Sequence, residues 1–302
     1  MKKTAALAAL SALVLTLLFV NSACAELTKI SNNVYSYVGV KDASPGNSFA
    51  ANAGIVIGRD GVLVVDTLIS AKEGKRFLAD IRKVTNKPIK YVVNTHTHLD
   101  HALGNCVFAN LGAAIISHQA ERASLEANGP LMLRNIGSKG LKPEDVAGTE
   151  VVLPNLAFSD QMLIDLGGEE IRLIRLSPSH TAGSIVVYLP TQKILFSGDI
   201  LFTDFHPFLA DGDFKGWIGS IDKLLDMEID GIIPGHGPLS TKKDLRDMKN
   251  YIVLFDKRAR ELATKSQDSQ VISAQLLKEL PKRSMAEWMV NYNVLSRYIG
   301  KN

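Results

Sequence analysis

The chain of 302 residues is poor in cysteine, and this excludes a fold held together by disulfides. One of its two cysteines, Cys24, lies in an N-terminal segment that we expect to be removed, which leaves Cys106 alone in the mature chain. The chain also lacks a large excess of charge of either sign. It has 34 basic and 31 acidic side chains, and its formal net charge is +3. Nothing in this balance indicates nucleic acid or a membrane surface as a partner.

The sequence also lacks internal repeats of solenoid period and low-complexity tracts. Hydrophobic residues make up 46% of the chain and charged residues 22%, a composition that supports a packed core and argues against disorder. The length suits one large domain, or one domain with a helical tail.

The first 25 residues have the composition of an export signal. Two lysines precede an apolar run over residues 5–20, and small residues stand at 23–25, where a signal peptidase cleaves. We predict cleavage after Ala25 and a mature protein that is exported to the periplasm without a membrane span. One alternative is a lipid anchor on Cys24, which Asn21 disfavours because an aliphatic residue is usual there. The other is an uncleaved anchor, for which the run is short.

What the chain does contain is an unusual concentration of metal-binding side chains at residues 96–101, where three histidines and an aspartate stand within the sequence HTHLDH. The apolar run at 89–93 predicts a buried strand that leads into them. A helix would send such close neighbours to different faces, so we predict a tight loop. Imidazole and carboxylate together suit zinc, iron or manganese.

Three later strands are each predicted to lead to a histidine or an aspartate beside glycine or proline. The apolar runs 171–176, 193–196 and 231–233 precede the side chains in question, which are His180, Asp199 and His236. Sites at the carboxyl ends of strands are common, because the sheet holds the geometry while the loops supply the chemistry. A lone histidine after a strand is more often structural, and it is the set as a whole that indicates a metal site.

This set of motifs, an HxHxDH loop followed by a later histidine, a Gly-Asp and a Gly-His-Gly, resembles the metallo-β-lactamase superfamily over about residues 34–239. The strand-end Asp66 belongs to the same pattern. The resemblance implies an α/β fold of the αββα type, in which two mixed sheets lie face to face between outer helices. It further implies a superfamily domain over residues 26–240 and a C-terminal helical extension over 241–302 that packs on it.

The resemblance also implies roles for individual residues. The expected metal ligands are His96, His98 and His180 for a first divalent cation, Asp100, His101 and His236 for a second, and Asp199 for both. Zn²⁺ is the expected metal, with iron or manganese as alternatives. Asp100 would also be catalytic, orienting the nucleophile or moving a proton. Asp66 would hold the histidine loop by hydrogen bonds without binding metal.

The implied activity is hydrolysis of a small-molecule substrate. Two cations that share a water molecule give a hydroxide at neutral pH, and this would attack an ester, thioester, lactone or β-lactam-type carbonyl. The segment from Gly198 to Trp217 resembles an exported bacterial subgroup, some of whose members are associated with sulfur oxidation and quinoprotein systems. Substrate choice would depend on the loops at 131–150 and 205–215, and His206 is predicted to line the substrate pocket.

Two other readings remain open from the sequence. The first is a mononuclear iron dioxygenase that acts on persulfides, as some superfamily members do. It would leave a second metal site vacant, although Asp100, His101 and His236 are all present. The second is a metal-binding protein without turnover.

Overall fold

The computed structural model describes residues 26–176 and 178–299. The predicted export signal, residues 1–25, therefore lies outside the described residues, as does Cys24. None of the helices within the described ranges is long and apolar enough to cross a membrane.

Twelve strands in the described residues form two mixed sheets. The first sheet contains, in spatial order, β1 (Thr28–Lys29), β2 (Val34–Ser36), β3 (Gly54–Ile57), β4 (Val62–Val65), β5 (Ile89–Val93), β6 (Ala114–His118) and β7 (Leu156–Phe158). The pairs from β1 to β4 are antiparallel and those from β4 to β7 are parallel.

The second sheet contains, again in spatial order, β12 (Gly231–His236), β11 (Ile194–Phe202), β10 (Ile185–Leu189), β9 (Glu170–Arg175) and β8 (Gln161–Asp165). Only the β11–β12 pair is parallel. Every residue of β10 and β11 is buried, whereas the edge strand β8 is largely exposed. Continuous burial is expected where a strand is covered on both faces.

The helices lie outside the two sheets. They are α1 (Ala71–Val84), α2 (Leu99–Ala102), α3 (Asn105–Ala109), α4 (Gln119–Arg134), α5 (Phe214–Asp226), α6 (Lys242–Ala263), α7 (Ser269–Glu279) and α8 (Trp288–Tyr298). Short 3-10 helices occur at Pro45–Ala50, Ile136–Lys139 and Pro143–Asp145.

Three apolar layers hold this arrangement together. The middle layer joins the facing sheets through side chains such as Val93 and Val187. An outer layer packs α1 and α3 on the first sheet, with Phe77 and Phe108 at its centre. The other outer layer packs α5 to α8 on the second sheet around Trp217. Each element is thus apolar on the side that it buries, and the predicted αββα sandwich with a helical C-terminal region is confirmed.

Most local predictions are confirmed. The sequence predicts a helix over residues 70–85 with Ser70 as its cap, and in α1 the Ser70 side chain accepts a hydrogen bond from the Glu73 amide. Two were wrong. Residues 99–102, predicted as loop, form one helical turn. The sequence predicts a helix over residues 119–128, before Gly129 and Pro130, but α4 continues through Pro130 to Arg134, with Gly129 packed closely on Val151.

Candidate metal centre

Five of the seven histidines meet at one edge of the sandwich, together with two aspartates. One group of potential ligands, whose donor atoms all lie within 4.8 Å of one another, consists of His96, His98, His180 and Asp199. The first two come from the loop after β5, the third from the loop after β9 and the last from β11. His98 Nδ1 and His180 Nε2 lie 2.9 Å apart, so both nitrogens face the same space.

The second group consists of Asp100, His101 and His236, with donor atoms again within 4.8 Å of one another. Asp100 and His101 are consecutive residues of the helical turn α2, and His236 ends β12. His236 Nε2 lies 3.4 Å from Asp100 Oδ2. The helical turn α2 places Asp100 and His101 in this second group, and the His101 ring also contacts His96 of the first group, with ring centroids 4.3 Å apart.

Asp199 lies between the two groups. Its Oδ2 is 3.3 Å from His180 Nε2 and 3.7 Å from His96 Nε2, and its Oδ1 is 3.2 Å from His101 Nε2. The sequence analysis expects this residue after a strand, but it lies inside β11, where the register with β12 shifts. Such an irregularity re-aims a side chain out of the ladder. One carboxylate thereby touches ligands of both groups.

Glycine makes room for that carboxylate. A Cβ atom on Gly235 would lie 1.8 Å from Asp199 Oδ1, so a side chain at this position would displace the aspartate. Gly198 has a φ of 50°, a conformation that other residues adopt at a cost, and a Cβ there would lie 2.6 Å from Thr95 Oγ1. Gly198 of the predicted Gly-Asp motif and Gly235, the first glycine of the Gly-His-Gly motif, are therefore required by the packing of the site.

Several buried polar atoms of the cluster have no hydrogen-bond partner. They are His96 Nε2, His101 Nε2, His180 Nδ1 and Asp199 Oδ1. An unpaired buried polar atom costs about 1–3 kcal/mol, and such atoms are rare in folded proteins. Here three of the four, two imidazole nitrogens and a carboxylate oxygen, face the space that the two groups share. Nitrogen and oxygen donors gathered in this way fit divalent cations such as Zn²⁺.

The outer nitrogens of three histidines are oriented by neighbouring groups. His101 Nδ1 donates to Asp66 Oδ2 at 2.9 Å, His98 Nε2 to Asp211 Oδ2 at 3.2 Å, and His236 Nδ1 to the Phe49 carbonyl at 3.1 Å. Each bond aims the opposite ring nitrogen into the cluster, where it would bind a metal in the neutral imidazole.

Asp66 lies where the sequence analysis expects it, beside the histidine loop. Its Oδ1 accepts from the Thr95 amide and its Oδ2 from the Thr95 hydroxyl, both at 2.8 Å, in addition to His101. Asp66 itself has a left-handed φ of 59°. The carboxylate therefore holds the start of the loop and one of the potential ligands at once.

The two groups differ electrostatically. Burial lowers the pKa of His180 to about 3 and that of His96 well below its usual value. Burial also opposes charge on His236, but the carboxylates of Asp199 and Asp100 outweigh it and raise its pKa to about 9. Neutral imidazoles thus dominate the first group, whereas the second holds a proton that a bound cation would displace.

A cavity of about 520 Å³ opens onto both groups. Its floor includes His98, Asp100, Asp199 and His236. Its walls are largely apolar and come from four separate segments: Phe49 and its neighbours, the end of α4 with the 3-10 helix that follows it, the loop after β11, and α8. A volume of this size and a lining of this kind are typical of small-molecule sites. A second, more polar cavity of about 610 Å³ adjoins it beneath α4.

His206 does not line either cavity, contrary to the prediction. Its ring is buried, and His206 Nδ1 and the Tyr251 hydroxyl lie 2.8 Å apart within the layer that holds α6 to the second sheet. The loop at 205–215 does reach the site, but through Phe208 and Asp211. The sequence predicts a role for this loop but does not single out Asp211, because nothing in the local sequence distinguishes Asp211 from Asp213.

The chain is similar to known metal-dependent hydrolases. Residues 46–236 match the model of the metallo-beta-lactamase superfamily. The chain is 25% identical over 224 residues to a linear primary-alkylsulfatase of Pseudomonas sp., which covers 63% of this chain and 42% of that protein. It is 24% identical over 216 residues to the type 2 metallo-beta-lactamase of Elizabethkingia meningoseptica, covering 70% of this chain and 78% of that one.

Among solved structures, the stereoselective inverting sec-alkylsulfatase of Pseudomonas sp. superposes with a TM-score of 0.69 and 21% identity. The match covers 92% of this chain and 51% of that one, and at this identity it shows the fold alone. The chain thus spans about half or less of the length of the alkylsulfatases that it matches.

Proposed function

Because the chain belongs to the metallo-beta-lactamase superfamily, we propose that it is a metal-dependent hydrolase with two divalent cations in its active site. One observation carries this proposal: two adjoining buried groups of ligands share Asp199, and unpaired donor atoms of both groups point at it. The proposed reaction is hydrolysis of an ester, thioester, lactone or β-lactam-type carbonyl.

In this proposal His96, His98 and His180 would hold the first cation and Asp100, His101 and His236 the second. Asp199, whose oxygens lie close to ligands of both groups, would serve both. Nitrogen and carboxylate ligands of this kind favour Zn²⁺, and iron or manganese would also fit. Bound cations would lower the pKa of a water molecule and polarise the substrate oxygen.

The chain's own groups have separate tasks. Hydrolysis adds the water oxygen to the acyl carbon, breaks the bond to the leaving group, and delivers a proton to that group. Asp100 faces the cavity and is adjacent to His236, so it is the residue that we assign to this proton. Asp66 and Asp211 keep the imidazoles in place while charge develops.

A mononuclear iron dioxygenase is the less supported reading. Such a site needs one group of ligands, whereas the three side chains of the second group are all buried and close enough to share a cation. A protein that binds metal without turnover is disfavoured by the cavity, which brings a substrate-sized volume against both groups.

We also propose that the mature protein is exported to the periplasm. The support is the composition of residues 1–25, with two lysines before an apolar run and small residues before the expected cleavage site. The amino-terminal sequence of the protein recovered from a periplasmic fraction would test it. A start at Glu26 is expected, and a start at Met1 would contradict the proposal.

The test of the metal centre is the metal content of protein purified without added metal, measured by mass spectrometry. We expect about two zinc ions per chain, the number that a shared-carboxylate site holds. His101→Ala should reduce it to about one. His118→Asn is the matched control, because His118 lies outside the cluster and caps α4. One iron per chain, unchanged in His101→Ala, would overturn the proposal.

A second substrate class, alkyl sulfate esters, is favoured by two observations. Two of the similar proteins are named as alkylsulfatases, and the cavity walls over the cluster are largely apolar. Release of inorganic sulfate from decyl sulfate would support this class. Hydrolysis of carboxylic esters without any sulfate release would exclude it.

A further inference from the structure

A wall of aromatic side chains stands over the candidate metal centre and has no part in holding metal. Trp288 and Tyr292 lie four residues apart on α8, so they face the same side of the helix. Both line the cavity, as do Phe49 from the 3-10 helix at Pro45–Ala50 and Phe208 from the loop after β11. Trp288 is 50% exposed, which is unusual for so large an apolar side chain.

One row of rings leads from the first group of ligands to a lysine. The His98 and Phe208 ring centroids are 5.3 Å apart, and those of Phe208 and Tyr292 are 5.5 Å apart. Lys139 Nζ lies 5.7 Å from the centroid of the Tyr292 ring. This row is an apolar path that begins at the reacting centre and ends at a positive charge.

A second row leads from the other group of ligands. The Phe49 carbonyl accepts the hydrogen bond from His236 Nδ1, and the Phe49 ring lies 6.2 Å from that of Trp288. Phe49 has a left-handed φ of 51°, between Ser48 at 52° and Ala50 at 61°. Three consecutive residues in this conformation are costly and need support from their surroundings. Contact with Trp288 is part of that support.

Lys139 is the one lysine or arginine among the described residues that line the apolar cavity. The acidic residues of the same lining are otherwise engaged, because Asp211 accepts from His98, and Asp100 and Asp199 belong to the ligand groups. A negative charge on the substrate would therefore meet Lys139 at the end of an apolar path. The complementary ligand has an apolar body and an anionic end.

We propose that α8 and Phe49 form the substrate-selecting wall of this site and that the substrate is an amphiphilic anion. Its chain or ring system packs against Trp288 and Tyr292, its anionic group contacts Lys139, and the bond to be cleaved lies over the ligand groups. The identity of that bond rests on the proposed hydrolase function. The binding mode does not, and it can be tested without turnover.

The binding test uses the two tryptophans of the chain. Trp217 is fully buried and donates to the Ile200 carbonyl, so a ligand in the cavity changes the emission of Trp288. The probes, 8-phenoxyoctanoate and 8-phenoxyoctanol, cannot be hydrolysed and differ only in charge. With the zinc-loaded protein we expect a saturable blue shift from both, and about tenfold tighter binding of the carboxylate, as a charge-assisted contact provides.

Two variants show whether that preference comes from Lys139. Lys139→Gln should abolish the preference for the carboxylate and leave the affinity for the alcohol unchanged. Lys142→Gln removes a neighbouring exposed lysine that does not line the cavity, and it should behave as the unchanged protein does. If both variants lose the preference for the carboxylate equally, the preference comes from the general positive charge of the region and not from Lys139. A preference that survives Lys139→Gln would place the anion elsewhere. Either result overturns the proposal.

The turnover test uses phenyl acetate, phenyl octanoate and the phenyl half-ester of suberic acid. Trp288→Ala should lower kcat/KM for the two long esters by about tenfold relative to phenyl acetate, because it removes most of one aromatic contact surface. Leu295→Ala alters an exposed side chain of the same helix that does not line the cavity. This variant should leave kcat/KM unchanged for all three esters.

The two tests separate the two proposals. If no ester is cleaved but 8-phenoxyoctanoate binds in the manner described, the hydrolase function fails and the binding mode stands. If the esters are cleaved with no dependence on chain length, on terminal charge or on Trp288, the wall has no selective role and this inference fails.

Discussion

Two regions of the molecule bury polar side chains, and they do so in opposite ways. The ligand cluster lies where the strands end. What we call the C-terminal junction lies on the far side of β11, where α6 to α8 meet the second sheet, and its polar members are His206, Tyr251, Arg283, Asn293 and Arg297. Both regions are shielded from water. They differ in whether the polar atoms find partners within the protein.

At the junction the polar atoms are paired almost throughout. Asn293 accepts from the Leu209 amide at 2.7 Å and donates to the Pro207 carbonyl at 2.8 Å. Arg297 donates to three carbonyls of the same loop. Among the fully buried side-chain nitrogen and oxygen atoms of the described junction residues, only Arg283 Nε lacks a partner. These bonds hold the loop that presents Phe208 and Asp211, so the junction supports the site without entering it.

In the ligand cluster the protein leaves donor atoms unpaired and orients them with outer hydrogen bonds. A buried polar group without a partner destabilises the fold, whereas a paired one is nearly neutral or stabilising. The comparison teaches that burial of a histidine does not by itself indicate function. Unpaired atoms that converge on one point do, as His96 Nε2 and His101 Nε2 converge on Asp199, and His206 fails that criterion.

The largest effect should come from Asp199, which both ligand groups share. Asp199→Asn removes its negative charge, and we expect kcat/KM to fall roughly a thousandfold because several kcal/mol of metal-dependent stabilisation are lost. The free energy of unfolding of the metal-free protein should also fall, because the Asp199 carboxylate lies 3.5 Å from His236 Nε2 and offsets the positive charge on that ring. Ester hydrolysis and urea unfolding would measure the two quantities. Full activity at saturating zinc would contradict the shared role.

At the junction the expected effect is on stability instead. Asn293→Leu leaves the Leu209 amide and the Pro207 carbonyl unpaired, which should lower the free energy of unfolding by about 3–4 kcal/mol in denaturant titrations. Asn291→Leu alters a half-buried residue of the same helix and is the matched control. Equal losses of unfolding free energy in the two variants would mean that the two hydrogen bonds of Asn293 do not account for the stability of the junction. The zinc content should stay at two in both variants.

The pH dependence of stability should identify His206 as a structural histidine. Burial, with a contribution from the nearby Arg283 charge, lowers its pKa to about 4 from 6.5. The unfolded chain therefore binds the proton first as the pH falls, and the stabilisation present above pH 6.5 is lost between 6.5 and 4. The loss amounts to about 3 kcal/mol at 1.4 kcal/mol per pKa unit.

The test of His206 compares the unfolding free energy of two proteins, each measured as a function of pH. The gap in unfolding free energy between the unchanged protein and His206→Gln should shrink by this amount from pH 7 to pH 4, because the other titrating groups cancel. A constant gap would mean that the His206 ring is not held neutral.

The smallest effect should come from Asp211, the exposed carboxylate that orients His98. Asp211→Asn should weaken zinc binding about 10- to 100-fold, as loss of an outer hydrogen bond to a metal ligand does. Competition with a chelator would measure it. Asp213→Asn is the control, because asparagine can still cap α5 at that position. If both variants bind zinc equally well, the bond to His98 has no role in metal affinity.

Much of the fold could be predicted because it follows from local patterns. The apolar strands, the Ser70 cap of α1 and the order of the elements all appear in the sequence, and the αββα fold was confirmed. The roles of the metal ligands remain predictions, but the structure brings the seven named side chains into two adjoining groups. Their spacing was informative because each lies at or near the end of a strand.

The sequence by itself determined which side chains gather at the strand ends, since a strand carries its neighbouring residues to a fixed edge of the sheet. Only the tertiary structure decided that Phe49 and Asp211 orient ligands, that α8 walls the cavity, and that His206 turns into the core. These contacts join segments far apart in the chain. They depend on how the helices and loops pack on the sheets, and no short-range pattern encodes that packing.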